Sequence, residues 1–292
     1  MKVLFLDWWN GYDPYSCKIF GDLFLKKYNL ELSDSPDVIV YSVFGRRHED
    51  PKYSECIKVG YSAENTQKRG FNVAEALNQG HFFIDMTRIS HPRHFRLPNA
   101  MRVSDSVWRT SPDSIHDFSF IPEKKGFCSF AHHAGSSVRE NFVKKLSGYK
   151  KVSCGGKILY NLTSKLPQGA GGIGLMPGGK PTLDFVGEHK FHMAFENSSF
   201  PGYCTEKIWW GFLAKSIPLY WGDPTVYQDF NEGSFLNRHD FDSDENFIKA
   251  IKELDNDDEL YHKMLISPKL KNPPYWNINR ITPFFQQILE SI

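Results

Sequence analysis

Residues 195–207 read Phe-Glu-Asn-Ser-Ser-Phe-Pro-Gly-Tyr-Cys-Thr-Glu-Lys. Two carboxylates (Glu196, Glu206), an amide (Asn197), a phenol (Tyr203) and an ammonium group (Lys207) gather around a Pro-Gly turn, just before the apolar run 208–222. A core strand has no use for so many polar groups. A loop that hands an anion to the start of a buried helix has. Thr205 stands where an N-cap belongs, and a helix N-terminus offers unpaired N–H groups and a partial positive charge that favour phosphate. Lys207 in the first turn opposes the usual preference for acids there. That fits a lysine meeting an anion, and it fits an ion pair with a neighbouring acid equally well.

The same logic recurs upstream. Residues 152–161 run from a strand into Gly155-Gly156, where a backbone can approach a ligand, and Lys157 follows at once. Arg139 lies in Ser-Ser-Val-Arg-Glu-Asn-Phe at 136–142 and is a further candidate for phosphate. Its competing reading is a solvent-facing arginine on a charge-rich helix. The loop 167–180 contains Gly-Ala-Gly-Gly-Ile-Gly, but no strand leads directly into it and no clear helix follows, so a dinucleotide fold is rejected there. There is no His-Glu-x-x-His motif, and no Asp-x-Asp of the kind that metal-dependent transfer enzymes use. Asp223 and Asp240 read as turn residues, and His132 and His133 point to opposite faces of a strand.

The elements needed to position these groups are legible as alternating strands and helices. Strands are expected at 2–9, 36–45, 56–61 and 81–86, with a helix of apolar spacing over 17–28. The residues 7–11 and Glu64-Asn65 then fall at carboxyl ends of strands, where ligands collect in parallel sheets. A polar, Pro- and Gly-containing stretch at 121–126 marks a domain boundary, giving domains 1–122 and 123–292. Beyond it the pattern restarts with strands at 126–133, 150–156, 189–197 and 216–223, helices over 136–149 and 205–215, and closing amphipathic helices. The fold expected is α/β, two Rossmann-like domains facing across a cleft.

Bulk properties narrow the function. The chain has 292 residues, with 40% hydrophobic and 15% aromatic content, which suits a packed core and excludes a disordered chain. Thirty-five basic residues balance 34 acidic ones, so no global field recruits nucleic acid or a membrane surface. Five scattered cysteines form no metal or disulfide framework and fit a reducing compartment. The apolar stretch at the N-terminus is too short for a signal peptide or anchor, and no segment is long enough to span a bilayer. These features point to an enzyme binding a phosphorylated or nucleotide-containing ligand.

The residues from Lys190 to Asn237 resemble the signature of the α1,3/α1,4-fucosyltransferases: Lys-Phe-x-x-x-Phe-Glu-Asn-Ser, then Tyr-x-Thr-Glu-Lys, a Pro-Leu-Tyr-Trp-Gly turn and Ser-Phe-Leu. In the same order, 7–14 is similar to the aromatic loop of bacterial members, 60–65 to their Gly-Glu-Asn segment, 136–146 to their arginine-containing helix and 152–161 to their Gly-Gly turn. The resemblance implies a GT-B glycosyltransferase. Its amino-terminal domain presents a glycan acceptor and its carboxyl-terminal domain holds GDP-β-L-fucose. It implies transfer of L-fucose with inversion to O3, or O4, of GlcNAc in N-acetyllactosamine-type or type 1 chains. Glu64 is then the general base. Glu206 assists at the donor sugar, and Asn197, Tyr203, Glu206, Lys207, Lys157 and Arg139 bind the donor. Trp8 and Trp9 form an acceptor platform, one of the pair packing in the core. No cofactor is required, with manganese or magnesium only stimulatory. No nucleic acid or integral membrane segment is implied. A missing stem and heptad tail favour a bacterial-type cytoplasmic enzyme, at most peripheral to the inner membrane. Regiochemistry is expected to depend on residues 66–120. The remaining alternatives are a GT-B enzyme using another nucleotide sugar, and an inert nucleotide- or glycan-binding relative.

Overall fold

The structure is a computed structural model and describes residues 1–99, 115–132, 135–163, 179–272 and 276–291, with 179–181 as backbone only. The chain divides into two compact units, Met1–Ser106 with Pro274–Ile292, and Val107–Pro273.

In the first unit, β1 (Lys2–Leu6), β2 (Glu31–Leu32), β3 (Val38–Ser42), β4 (Ile57–Tyr61), β5 (Phe82–Asp85) and β6 (His94–Arg96) form one parallel sheet. The order is β2-β1-β3-β4-β5-β6. β3, Val-Ile-Val-Tyr-Ser, is buried along its whole length, as a central parallel strand covered on both faces must be. The expected helix after β1 is present over Lys18–Lys26 as a π-helix, and it buries Ile19, Phe20, Phe24 and Leu25.

The domains expected from sequence, 1–122 and 123–292, differ from these units in two places: the units part between Ser106 and Val107, and the chain rejoins the first unit at Pro274. The last helix, Thr282–Leu289, belongs with the first unit and not with the second. Phe285 packs 4.6 Å from Phe24, Phe284 packs 5.7 Å from Phe82, and the Tyr28 hydroxyl donates to the Thr282 carbonyl at 3.0 Å. The apolar partners of this helix are side chains of β5 and of the π-helix, far away in sequence. Its amphipathic pattern alone could not say which sheet it covers.

The second unit holds a parallel sheet of β7 (Gly126–Phe130), β8 (Val152–Cys154), β9 (His189–Phe195), β10 (Ile217–Trp221) and β11 (Leu236–Asn237), in the order β11-β10-β9-β7-β8. Its helices are Ser137–Ser147, Gly179–Gly187, Glu206–Leu213, Asp244–Asp255 and Asp258–Ile266. Helix Ser137–Ser147 buries Arg139, Phe142, Val143 and Leu146, one face at helical spacing, with Phe142 stacked 4.9 Å from Phe195 of β9. The glycine-rich stretch 164–178 lies outside the described residues, and a helix does follow it at Gly179. Because every strand in each sheet is parallel, the loops that follow the strands gather on one edge of that sheet.

Candidate functional site

On the carboxyl edge of the second sheet, β9 ends at Phe195 and the next residue, Glu196, is completely buried. Room for it comes from Gly222 after β10, where a Cβ would overlap the Glu196 side chain. Glu196 Oε1 accepts from the Thr205 backbone N–H and hydroxyl, both at 2.7 Å. Glu196 Oε2 lies 2.9 Å from Lys207 Nζ. The Thr205 hydroxyl in turn accepts from Lys207 at 2.7 Å. Thr205 is thus the N-cap residue of helix Glu206–Leu213 by position, but its side chain makes no capping bond. It serves the buried carboxylate instead.

Lys207 also lies 3.3 Å from Glu206 Oε1, so its three N–H groups meet Thr205, Glu196 and Glu206. Burial lowers its pKa, but the two carboxylates outweigh burial and the net shift is upward. Of the two readings open for Lys207, the ion pair with neighbouring acids is present, so its charge is matched by Glu196 and Glu206. Arg139 is corrected. It is buried, not solvent-facing, and its Nε donates to the carbonyls of Phe195 and Glu196 at 3.0 and 2.9 Å. Burial lowers its pKa, opposed by Glu196, Tyr203 and Glu206. Two cations and two carboxylates therefore share one nearly dry pocket, which sums to zero charge.

Asn197 sits beside this cluster. Its Oδ1 accepts from the Tyr203 hydroxyl and from Ser198 Oγ, each at 3.0 Å, and this leaves the amide NH2 with no partner among the described residues. Tyr203 is buried. The Pro-Gly turn before it is set by Asp223, whose Oδ1 accepts from the Gly202 N–H at 2.8 Å and from Thr225. Asp223 is a turn organiser, as its setting in the sequence suggests. Lys157 stands apart: it is exposed after β8 and joins none of these bonds. The glycines before it have backbone roles of their own: a Cβ on Gly156 would fall on the His132 backbone, and the Gly155 N–H donates to the Phe130 carbonyl at 2.9 Å.

On the carboxyl edge of the first sheet the two tryptophans divide their roles. Trp8 is sandwiched between Tyr12 (4.1 Å) and Tyr61 (5.1 Å), and its indole N–H donates to the Val40 carbonyl at 3.1 Å. Trp9 packs edge-on against Trp8 and Tyr12 and is 45% exposed. Glu64 lies in a turn closed by Ser62, whose hydroxyl donates to the Glu64 carbonyl at 3.1 Å and accepts from the Glu64 N–H at 3.0 Å. Capping of the next turn falls to Asn65, which accepts from the Lys68 N–H at 3.1 Å. The Glu64 carboxylate is therefore not used for capping; it is 40% exposed and 3.7 Å from Arg69. Arg69 lies 4.8 Å over the Phe44 ring.

Among the described residues no group of three or more His, Cys, Asp and Glu is placed to hold a metal ion. His132 is buried with Nε2 3.0 Å from the Met193 carbonyl, and His133 lies outside the described residues. No described helix is long and apolar enough to cross a membrane.

Two family models cover these two edges in turn. The α-(1,3)-fucosyltransferase FucT N-terminal domain matches residues 3–101, which include Trp8, Trp9 and Glu64. The C-terminal model of glycosyltransferase family 10 (fucosyltransferase) matches residues 122–266, which include every residue of the charged cluster. The chain belongs to glycosyltransferase family 10. Among relatives, the α-(1,3)-fucosyltransferase FucT of Helicobacter pylori is 25% identical over the whole of this chain and 66% of its own length. The α-(1,3)-fucosyltransferase B of Drosophila melanogaster is 31% identical over 64% of this chain and 43% of its own. The chain thus spans less than two thirds of the length of these family 10 relatives. Among solved structures, an α1,3-fucosyltransferase with GDP-fucose aligns with a TM-score of 0.72 at 20% identity, over 99% of this chain and 90% of that one. Anabaena HepE with UDP and glucose aligns at 0.55 and 10% identity over the full length of both chains. The fold is accordingly that of GT-B glycosyltransferases, with two parallel-sheet α/β units.

Proposed function

We propose that this family 10 chain is an inverting fucosyltransferase that moves L-fucose from GDP-β-L-fucose to O3, or O4, of GlcNAc in N-acetyllactosamine-type or type 1 glycans. The observation that carries the reading is the neutral cluster of Arg139, Glu196, Glu206 and Lys207 beneath a helix start with no side-chain cap. Such a helix start favours phosphate.

The longest bond of Lys207 is to Glu206 at 3.3 Å. A pyrophosphate oxygen of the donor takes that position, which gives the leaving group a cation as negative charge develops on it. Glu206, released, accepts from hydroxyls of the donor and faces the cationic sugar. The unpartnered amide of Asn197, Tyr203 behind it and the exposed Lys157 complete the donor contacts. Arg139 acts by holding the end of β9, and so the backbone on which Glu196 and Asn197 stand.

Glu64 takes the proton of the acceptor hydroxyl in a single in-line displacement, with GDP leaving from the opposite face of the fucose. Its partial exposure and freedom from capping support that role. Trp9 supplies the sugar-stacking face and Trp8 supports it from below. No cofactor takes part in this scheme, and manganese or magnesium acts by screening GDP. All five cysteines are unpaired, which suits a reducing interior, and we place the reaction in the bacterial cytoplasm. The test is GDP release from GDP-fucose, GDP-mannose and UDP-glucose, each with and without N-acetyllactosamine and lacto-N-biose, in EDTA and in manganese. Release confined to GDP-fucose plus acceptor supports the reading; release from another donor overturns it.

A further inference from the structure

Asp7 closes β1 in a left-handed conformation, φ 61°, a region that costs a residue with a side chain. Its carboxylate is 6% exposed and is gripped from one side: Oδ2 accepts from the Arg47 backbone N–H at 2.9 Å and Oδ1 from Arg47 Nε at 2.8 Å. Gly45 makes room for this, because a Cβ there would overlap the Asp7 carboxylate. Yet the arginine so held is 67% exposed, and its two terminal nitrogens bond to no described residue. Burial of the Asp7 carboxylate explains why it is paired, but not why the arginine that pairs with it keeps its two terminal nitrogens in solvent. Strain such as that at Asp7 persists where the surroundings over-determine it, and it gathers at positions that handle ligands.

The topology says what lies nearby. β1, β3 and β4 are neighbours in the sheet, so the loops after them share one edge. That edge presents Trp9 after β1, Phe44 and Arg47 after β3, and Glu64 after β4. Phe44 is exposed, and Arg69 links its ring to Glu64. A guanidinium fork fixed at Nε, with exposed aromatic rings and a carboxylate on the same edge, is the equipment for reading one face of a sugar.

We propose that Arg47 recognises the acceptor: its two terminal nitrogens donate to two neighbouring hydroxyl oxygens of the acceptor saccharide, and Asp7 is the positioning residue that aims them. This rests on the reading of the first unit as the acceptor-binding one. Arg47→Ala should raise the acceptor KM about tenfold to a hundredfold while the donor KM stays at the wild-type value. Arg47→Lys keeps the charge but loses the fork, and should show most of that rise. Asp7→Asn, whose side chain tolerates the left-handed conformation, should raise the acceptor KM less. Millimolar guanidinium should restore acceptor use in Arg47→Ala and do nothing for Asp7→Asn. An unchanged acceptor KM in a folded Arg47→Ala protein overturns this inference alone. Absence of acceptor-dependent GDP release in the wild-type protein overturns it together with the functional reading.

Discussion

Replacing Glu196 by glutamine changes one atom in a completely buried side chain, and its consequence follows from the bonds around it. The amide oxygen can still accept from the Thr205 N–H and hydroxyl. The amide nitrogen must then face Lys207 Nζ, where Oε2 now stands 2.9 Å away, so a donor meets a donor. Arg139 also loses the largest of the charge interactions that oppose its burial. Breaking a buried pair from one side costs about 3–5 kcal/mol. Two circumstances reduce this: the Lys207 side chain is 12% exposed, and Glu206 remains as a partner. A destabilisation of about 2–4 kcal/mol is expected, seen as a lower urea midpoint at unchanged slope. GDP should bind the variant about tenfold more tightly than the wild-type protein, because its phosphate supplies the charge that Lys207 has lost. The assay is urea unfolding of both proteins with and without GDP. A variant within about 0.5 kcal/mol of the wild type would refute the charge balance. A GDP stabilisation no larger in the variant would refute the placing of phosphate at Lys207.

Other outcomes follow from the same geometry. Glu64→Gln should lower turnover by at least about a hundredfold and leave GDP affinity unchanged, as titration calorimetry beside a GDP-release assay would show. Trp8→Ala, which removes a half-buried ring stacked between Tyr12 and Tyr61, should cost about 2–3 kcal/mol in urea unfolding, whereas Trp9→Ala should cost little and raise the acceptor KM. Burial lowers the ammonium of Lys124 to about 8, and burial together with Lys215 lowers that of Lys269 to about 7. Their hydrogen-bond partners are carbonyls and a serine hydroxyl, not carboxylates. The unfolded chain holds these protons up to the ordinary lysine range, so the contribution of these groups to stability is greatest above it and falls as pH drops towards 7. The urea midpoint should therefore be higher at pH 9 than at pH 7, and Lys269→Met should flatten that rise.

The strands and the polar turn at 195–207 were legible because apolar runs bounded by Gly, Pro and Asn announce buried parallel strands. What Glu196 and Lys207 do to each other was not, since their pairing depends on the space left by Gly222, a residue of the next strand's exit. Burial of Arg139 is legible, since its spacing from Phe142, Val143 and Leu146 puts it on the buried face of its helix. Gly155-Gly156 matched the appearance of a ligand loop, but local sequence cannot distinguish close approach to a ligand from close approach to the His132 backbone. The docking of Thr282–Leu289 on the first sheet, and the clamp of Asp7 on Arg47, join residues too far apart for any local pattern to reveal.

The most direct test of the account is GDP release from GDP-fucose by the wild-type chain, measured in EDTA with and without N-acetyllactosamine. Release should depend on the acceptor and persist without divalent metal. No release with any GlcNAc-containing acceptor, from a folded protein that binds GDP, would contradict the account.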